Sequence, residues 1–188
     1  MSLLSLEHSR AAYRADFIFY GVLLGTGMPV LLWSQSVEVR LQVAIWTTIG
    51  LVSWSPLEYL LHRYVLHAIR PFSDWHALHH ARPTALVASP TVMTLALFGL
   101  LVLLPAAELL DWPRAVALTW GLMAGYLAYS TTHHATHHWL ARSSWLMERK
   151  RWHAMHHHTP ASGYYGVTGT LWDRLCRSDG ARTTKPGS

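Results

Sequence analysis

Of the 14 histidines in this chain, all but His8 fall in four short groups: His62 with His67; His76, His79 and His80; His133, His134, His137 and His138; and His153, His156, His157 and His158. Neutral imidazole is the commonest metal-binding side chain, so histidines repeated at helical spacing raise metal chemistry first. The pattern H-x-x-H-H at His76-Ala77-Leu78-His79-His80 is repeated at His153-Ala154-Met155-His156-His157. Its three imidazoles lie on one side of a helix. His133 and His137, four apart, also share a face. His62 and His67 are five apart, about 140° around a helix at about 100° per residue, a spacing that suits two different ions better than one. These ten imidazoles exceed the roughly four to six ligands of a single transition metal, so the count implies two ions. His134, His138 and His158 stand beside these candidates and are open to three roles: hydrogen-bond partners of the ligands, solvent-facing residues or alternative ligands. His8 reads as incidental. Glu58, one turn before His62, and Asp74, just before His76, could each orient an imidazole or be an ordinary surface or interfacial charge.

Imidazole suits iron, copper, zinc and nickel alike. A hydrolytic zinc site needs only about three protein ligands and a general base, far fewer histidines than this. Metal transport would need ligands at membrane depth along a path, whereas these gather at one face. A membrane di-haem cytochrome would need histidines in the middle of its helices, where this chain has none. An all-histidine pair of redox metals at a membrane surface, below apolar helices, suits activation of dioxygen against a lipid C–H bond. With one cysteine, Cys176, neither a disulfide framework nor a cysteine-based zinc site is available.

The elements that must position these residues are apolar. The chain has 188 residues, of which 51% are hydrophobic and 13% charged, and its mean hydropathy is +0.17. Disorder is excluded, and the length allows one domain. Four stretches read as membrane-crossing helices. Phe17 to Trp33 has no charge, and the Trp-Ser-Gln that follows is unlike a signal-peptide cleavage site. Leu41 to Leu61 has one acid, Glu58, and a tolerated Pro56. Leu86 to Ala107 is expected to carry Pro90 in its first turn. Ala115 to Thr132 places Gly121 and Gly125 four apart, which would let another helix approach closely. The short link between the last two stretches makes them a hairpin. Trp33, Trp54, Trp112 and Trp139 fall at the predicted boundaries and read as interface anchors.

Four crossings put both termini and every histidine group on one side. All but two of the 15 Lys and Arg residues, Arg40 and Arg114, share that side, which assigns it to the cytoplasm. The formal charge of +5 is then an orientation signal, and no nucleic-acid partner is expected. A soluble helical bundle is the alternative, disfavoured by stretches this long and uncharged. Arg149-Lys150-Arg151 could attract anionic headgroups or an acidic electron carrier, or serve only as a topology signal. Residues 1–16 form an N-terminal segment and the end after Asp179 reads as a flexible tail.

The run Leu57-Glu58-Tyr59-Leu60-Leu61-His62-Arg63-x-x-x-His67, followed by the boxes at 76–80, 133–137 and 153–157, resembles the fatty acid hydroxylase/sterol desaturase superfamily of membrane di-iron oxygenases. Leu86-Val87-Ala88-Ser89-Pro90 is similar to the segment after the second box of fatty acid 2-hydroxylases. Gly166-Val167-Thr168 with Trp172-Asp173 is similar to their closing pattern. The resemblance covers about residues 50 to 175. It implies an all-α integral membrane protein of about four transmembrane helices, with a cytoplasmic helical cap that holds the histidine boxes. It further implies two iron ions, dioxygen as co-substrate and hydroxylation of a lipid, with a fatty acyl or sphingolipid acyl chain favoured over a sterol or carotenoid. The implied metal ligands are His62, His67, His76, His79, His80, His133, His137, His153, His156 and His157. Many eukaryotic members carry a fused cytochrome domain. With about 16 residues before the first crossing none is expected here, and electrons are expected from a separate cytochrome b-type or ferredoxin-type protein with its reductase. The acid often found before the third box is Ser130 in this chain, a departure from that pattern.

Overall fold

A computed structural model describes residues 7–33, 35–158 and 163–180; the expected flexible tail lies almost wholly outside the described residues. Among the described residues the chain is helical, with one isolated antiparallel bridge between Glu7 and Val87 and no strand. The α-helices are α1 (Arg10–Trp33), α2 (Val37–Leu60), α3 (Phe72–Ala81), α4 (Thr91–Phe98), α5 (Leu104–Leu109), α6 (Trp112–His138), α7 (Ser144–His158) and α8 (Leu171–Leu175). Two wider, π-helical segments interrupt the series, Leu61–Leu66 directly after α2 and Gly99–Leu103 between α4 and α5. The chain forms two compact units, Met1–Trp54 with Ala85–Leu127 and Ser55–Thr84 with Ala128–Ser188. The helices α2 and α6 contribute residues to both.

The first unit is apolar. Arg10–Trp33 and Thr91–Leu109 are long and apolar enough to cross a membrane, by length and composition. Within the second of these, the Leu104 N–H bonds back to the Gly99 carbonyl. The widened turn precedes Pro105, which has no N–H and whose ring would crowd a normal α-helical turn. Pro90 lies just outside α4 rather than in its first turn, because its ψ of 132° is extended. Its carbonyl still accepts the Thr94 N–H at 3.0 Å. Only Leu110 and Asp111 separate α5 from α6, as a helical hairpin requires, and the Asp111 carboxylate accepts the Arg114 N–H at 3.0 Å as an N-cap.

Close backbone approach joins α2 to α6. A Cβ at Gly121 would collide with the Thr47 carbonyl, and one at Gly50 with the Leu118 carbonyl; a Cβ at Gly125 would meet the Trp54 side chain. The small-residue spacing read in the sequence thus has α2 as its partner. Trp54 is only 6% exposed and packs with Tyr126 at 5.6 Å between ring centroids, and Phe98 and Tyr20 meet the same tyrosine at 5.8 and 5.5 Å. Trp54 is therefore a core residue and not an interface anchor, whereas Trp33, Trp112 and Trp139 are exposed. Residue 8 straps this unit: its N–H bonds to the Leu86 carbonyl at 2.9 Å, and its ring lies 3.7 Å from Asp16, which also accepts the Thr91 hydroxyl.

The second unit collects the histidine-bearing ends of the helices. Ser143 caps α7 by accepting the Leu146 N–H at 3.2 Å. Lys150 Nζ donates to the carbonyls of Thr136 and Trp139 at 2.8 and 2.9 Å, satisfying the open C-terminal end of α6 from α7. Arg149 is buried and pairs with Glu148 at 2.8 Å. Of the basic triplet, only Arg151 is an exposed cation.

Candidate metal centre

Two sets of five imidazoles form within the second unit. His62, His67, His76, His80 and His156 make one, and His79, His133, His137, His153 and His157 the other; in each, one ring nitrogen per residue lies within 4.8 Å of all the others. All ten sequence-predicted residues are thus brought together. His8 belongs to neither set and sits in the first unit. His134 and His138 stack on each other at 4.5 Å on another face of α6, and His158 is exposed.

The H-x-x-H-H boxes on α3 and α7 divide between the two sets. On α3, His76 and His80 go to the first set and His79 to the second; on α7, His153 and His157 go to the second and His156 to the first. Imidazoles three and four residues apart lie on one side of a helix but diverge by about 100° between neighbours, enough to serve two adjoining ions. His133 and His137 contribute together, as their four-residue spacing predicts. His62 and His67 also contribute together, contrary to the expectation that they reach different ions. The segment between them is π-helical, and in a helix with i to i+5 bonding a five-residue spacing returns to nearly the same face. The two sets adjoin where the His80 and His157 rings stack at 4.2 Å.

The donor chemistry fits metal ions. The Nε2 atom of His76 is 3.0 Å from Nε2 of both His62 and His80, and those of His67 and His156 are 3.1 Å apart. In the other set, His153 Nε2 is 2.8 Å from His137 Nε2 and 3.1 Å from His157 Nε2. Two nitrogens each about 2.1 Å from one ion, at right angles, stand about 3 Å apart, so these are the edge lengths of a coordination polyhedron. Nε2 of His79 and of His133 is buried without a hydrogen-bond partner among the described residues, which is how a ligand atom stands toward an ion. Burial, reinforced by neighbouring imidazoles, holds the rings neutral. It lowers His67 and His137 to about 4, His79 and His156 to about 3 and His157 to about 2, and pushes His62, His133 and His153 well below the ordinary imidazole range. Neutral rings at pH 7 keep their lone pairs for metal.

Backbone carbonyls orient two of these rings. His62 Nδ1 donates to the Tyr165 carbonyl at 2.5 Å and His156 Nδ1 to the Gly163 carbonyl at 2.7 Å. A carbonyl only accepts, so each ring carries its proton on Nδ1 and presents a bare Nε2. Two buried carboxylates shape the loop that supplies those carbonyls. Asp173 accepts the Tyr165 and Gly166 N–H groups at 2.8 and 2.7 Å. Glu58 accepts those of Val167 and Thr168 at 2.8 and 2.9 Å and the Thr168 hydroxyl at 2.6 Å. Glu58 therefore holds the loop. Asp74 pairs at the surface with Arg70 at 3.5 Å. A hydrogen-bond chain from Arg63 through Tyr59 and Ser178 reaches Asp173, at 2.5, 2.9 and 2.7 Å. In the sequence, Gly166-Val167-Thr168 and Trp172-Asp173 stand out as a pattern whose task only the fold shows. The single acid in the apolar stretch Leu41 to Leu61 is the available sequence signal for Glu58.

The helices thus bring together two adjoining all-imidazole cages, the donor arrangement of a histidine-box site. A family model described as fatty acid hydroxylase matches residues 47–178, and the chain belongs to that family. It is similar to the dihydroceramide fatty acyl 2-hydroxylase FAH2 of Arabidopsis thaliana, 33% identical over 146 residues that cover 71% of this chain and 60% of the relative. It is also similar to the ceramide very long chain fatty acid hydroxylase scs7 of Schizosaccharomyces pombe, 29% identical over 74% of this chain and 43% of the relative. The chain therefore spans roughly half the length of such relatives. Among solved structures, the hydroxylase domain visible in full-length scs7p shares the fold, with a TM-score of 0.74 and 22% identity over 89% of this chain and 66% of that one.

Proposed function

We propose that this chain is a membrane-bound non-haem di-iron oxygenase that hydroxylates a lipid, most favourably a fatty acyl chain or the acyl chain of a sphingolipid. The observation that carries the reading is the pair of adjoining five-imidazole sets in a chain whose relatives are named as fatty acid and dihydroceramide 2-hydroxylases. His62, His67, His76, His80 and His156 would hold one ion, and His79, His133, His137, His153 and His157 the other. Two irons there would supply the reduction of dioxygen that adds one oxygen atom to a lipid C–H bond. The protein's own part is to keep ten imidazoles neutral by burial and to fix the Nδ1 protons of His62 and His156 on loop carbonyls, so that no reorganisation precedes metal binding.

The membrane reading rests on exposed apolar surface: Ile18, Val30 and Leu101 are 65, 73 and 68% exposed on helices that water would not favour. In this proposal α1, α2, the 91–109 helix and α6 all cross, residues 1–188 act as a single hydroxylase-like domain, and the histidine boxes with both termini lie on the cytoplasmic side. A separate cytochrome b-type or ferredoxin-type protein, with its reductase, delivers electrons. The test is lipid mass spectrometry on cells with and without the protein. The wild type adds one oxygen to an acyl-containing lipid, and His79→Ala abolishes that product while the variant remains in the membrane fraction. A product undiminished in His79→Ala would refute the reading.

A further inference from the structure

The two imidazole sets are matched in number and in the way α3 and α7 divide between them, yet they differ in what stands behind the rings. In the first set, the His62 Nδ1–H bonds to the Tyr165 carbonyl at 2.5 Å, and the same peptide unit presents its N–H, that of Gly166, to Asp173 Oδ2 at 2.7 Å. The order is carboxylate, peptide, imidazole. A negative charge on the N–H side of a peptide polarises the amide and strengthens its carbonyl as an acceptor. Asp173 is fully buried, so water does not screen that charge. Gly166 is required in this geometry, since a Cβ there would lie 2.8 Å from Asp173 Oδ2 and collide with the Gly169 carbonyl. The His156 Nδ1–H is held by the Gly163 carbonyl, whose peptide N–H, that of Tyr164, donates only to the neutral Ser178 carbonyl at 2.8 Å. In the second set, the Nδ1 atoms of His153 and His157 are buried with no hydrogen-bond partner among the described residues.

Ring N–H groups bonded to carboxylates or carbonyls orient a metal-bound histidine and raise its basicity, and loss of such a partner typically weakens metal binding about 10- to 100-fold. We propose that the two metal sites are unequal, the His62 site being the tighter, and that Asp173, acting through the Tyr165–Gly166 peptide, is the positioning residue that makes it so. The proposal rests on the metal reading above. It assigns a task to the Trp172-Asp173 pattern: the carboxylate tunes one ion of the pair without touching it. Loading is then sequential, the His62 site filling first and the His79 site exchanging more readily.

Metal-free full-length protein in detergent, titrated with Co²⁺ against a competing chelator and followed by visible absorption, tests this. The wild type is expected to bind in two phases separated by at least about 10-fold in affinity. His156→Ala removes the tight phase and His157→Ala the weak one. Asp173→Asn keeps the side-chain shape but loses the charge; it weakens the tight phase about 10- to 100-fold and shifts its cobalt spectrum, leaving the weak phase in place. Two equal phases in the wild type, loss of the tight phase in His157→Ala, or an equal weakening of both phases in Asp173→Asn would each overturn the proposal. The His156→Ala and His157→Ala assignments decide it even if Asp173→Asn fails to fold. Absence of any cobalt uptake by the wild type would instead strike at the metal reading itself.

Discussion

The two compact units cohere by different physics. In the unit formed by residues up to Trp54 and from Ala85 to Leu127, α2 and α6 meet backbone to backbone at Gly50 and Gly121, and Tyr126 gathers Tyr20, Trp54 and Phe98 around its ring. Shape does the holding there. In the histidine-bearing unit, directed hydrogen bonds to Glu58 and Asp173, both almost wholly buried, fix a loop that has little regular structure of its own. The difference has a physical origin. In lipid, apolar helices gain little from burying more hydrocarbon and rely on tight packing. A metal cage needs specific ring orientations, which only directional bonds give.

Substitutions in each unit should respond accordingly. The largest effect is expected at Glu58→Ala, which leaves the Val167 and Thr168 N–H groups and the Thr168 hydroxyl without their acceptor in a buried setting. At about 1 kcal/mol or more for each group, the loss reaches roughly 3 kcal/mol, measurable as a lowered unfolding midpoint of the purified protein. Gly121→Val comes next. Its side chain would meet the Thr47 carbonyl and the Leu51 N–H, and overpacking of this kind costs about 1–3 kcal/mol. The same thermal assay should show that loss without a change in bound metal, because the cage lies in the other unit. Asp74→Ala should do least. Its partner Arg70 is exposed, and a surface pair contributes no more than about 1 kcal/mol, so an unfolding midpoint near that of the wild type is expected. A large loss there would mean that the carboxylate orients His76 after all.

Much of this arrangement was legible in the sequence, and the illegible parts share a cause. The ten histidines announce themselves by type and spacing, and the α2–α6 contact by Gly121 and Gly125. The grouping of His62 with His67 was not legible, because it depends on a local change of helical pitch that a 3.6-residue period does not anticipate. Trp54 read as an interface residue because its position along the helix suggested a boundary, while the face it occupies is set by contacts with Tyr126 and Phe98, distant in sequence. The supports of His62 and His156 are backbone carbonyls, which carry no residue signature. Lys150 and Arg149 read as surface charge, yet one closes the end of α6 and the other is buried, because α7 lies against elements that its own sequence does not name.

The central claim is that the ten clustered imidazoles hold two metal ions, five apiece. Elemental analysis of the purified full-length protein, with iron quantified per chain for the wild type, His156→Ala and His157→Ala, tests it most directly. Close to two ions per chain in the wild type, falling toward one in each variant, is the predicted result. A wild type without stoichiometric metal, or variants whose metal content matches it, would contradict the account.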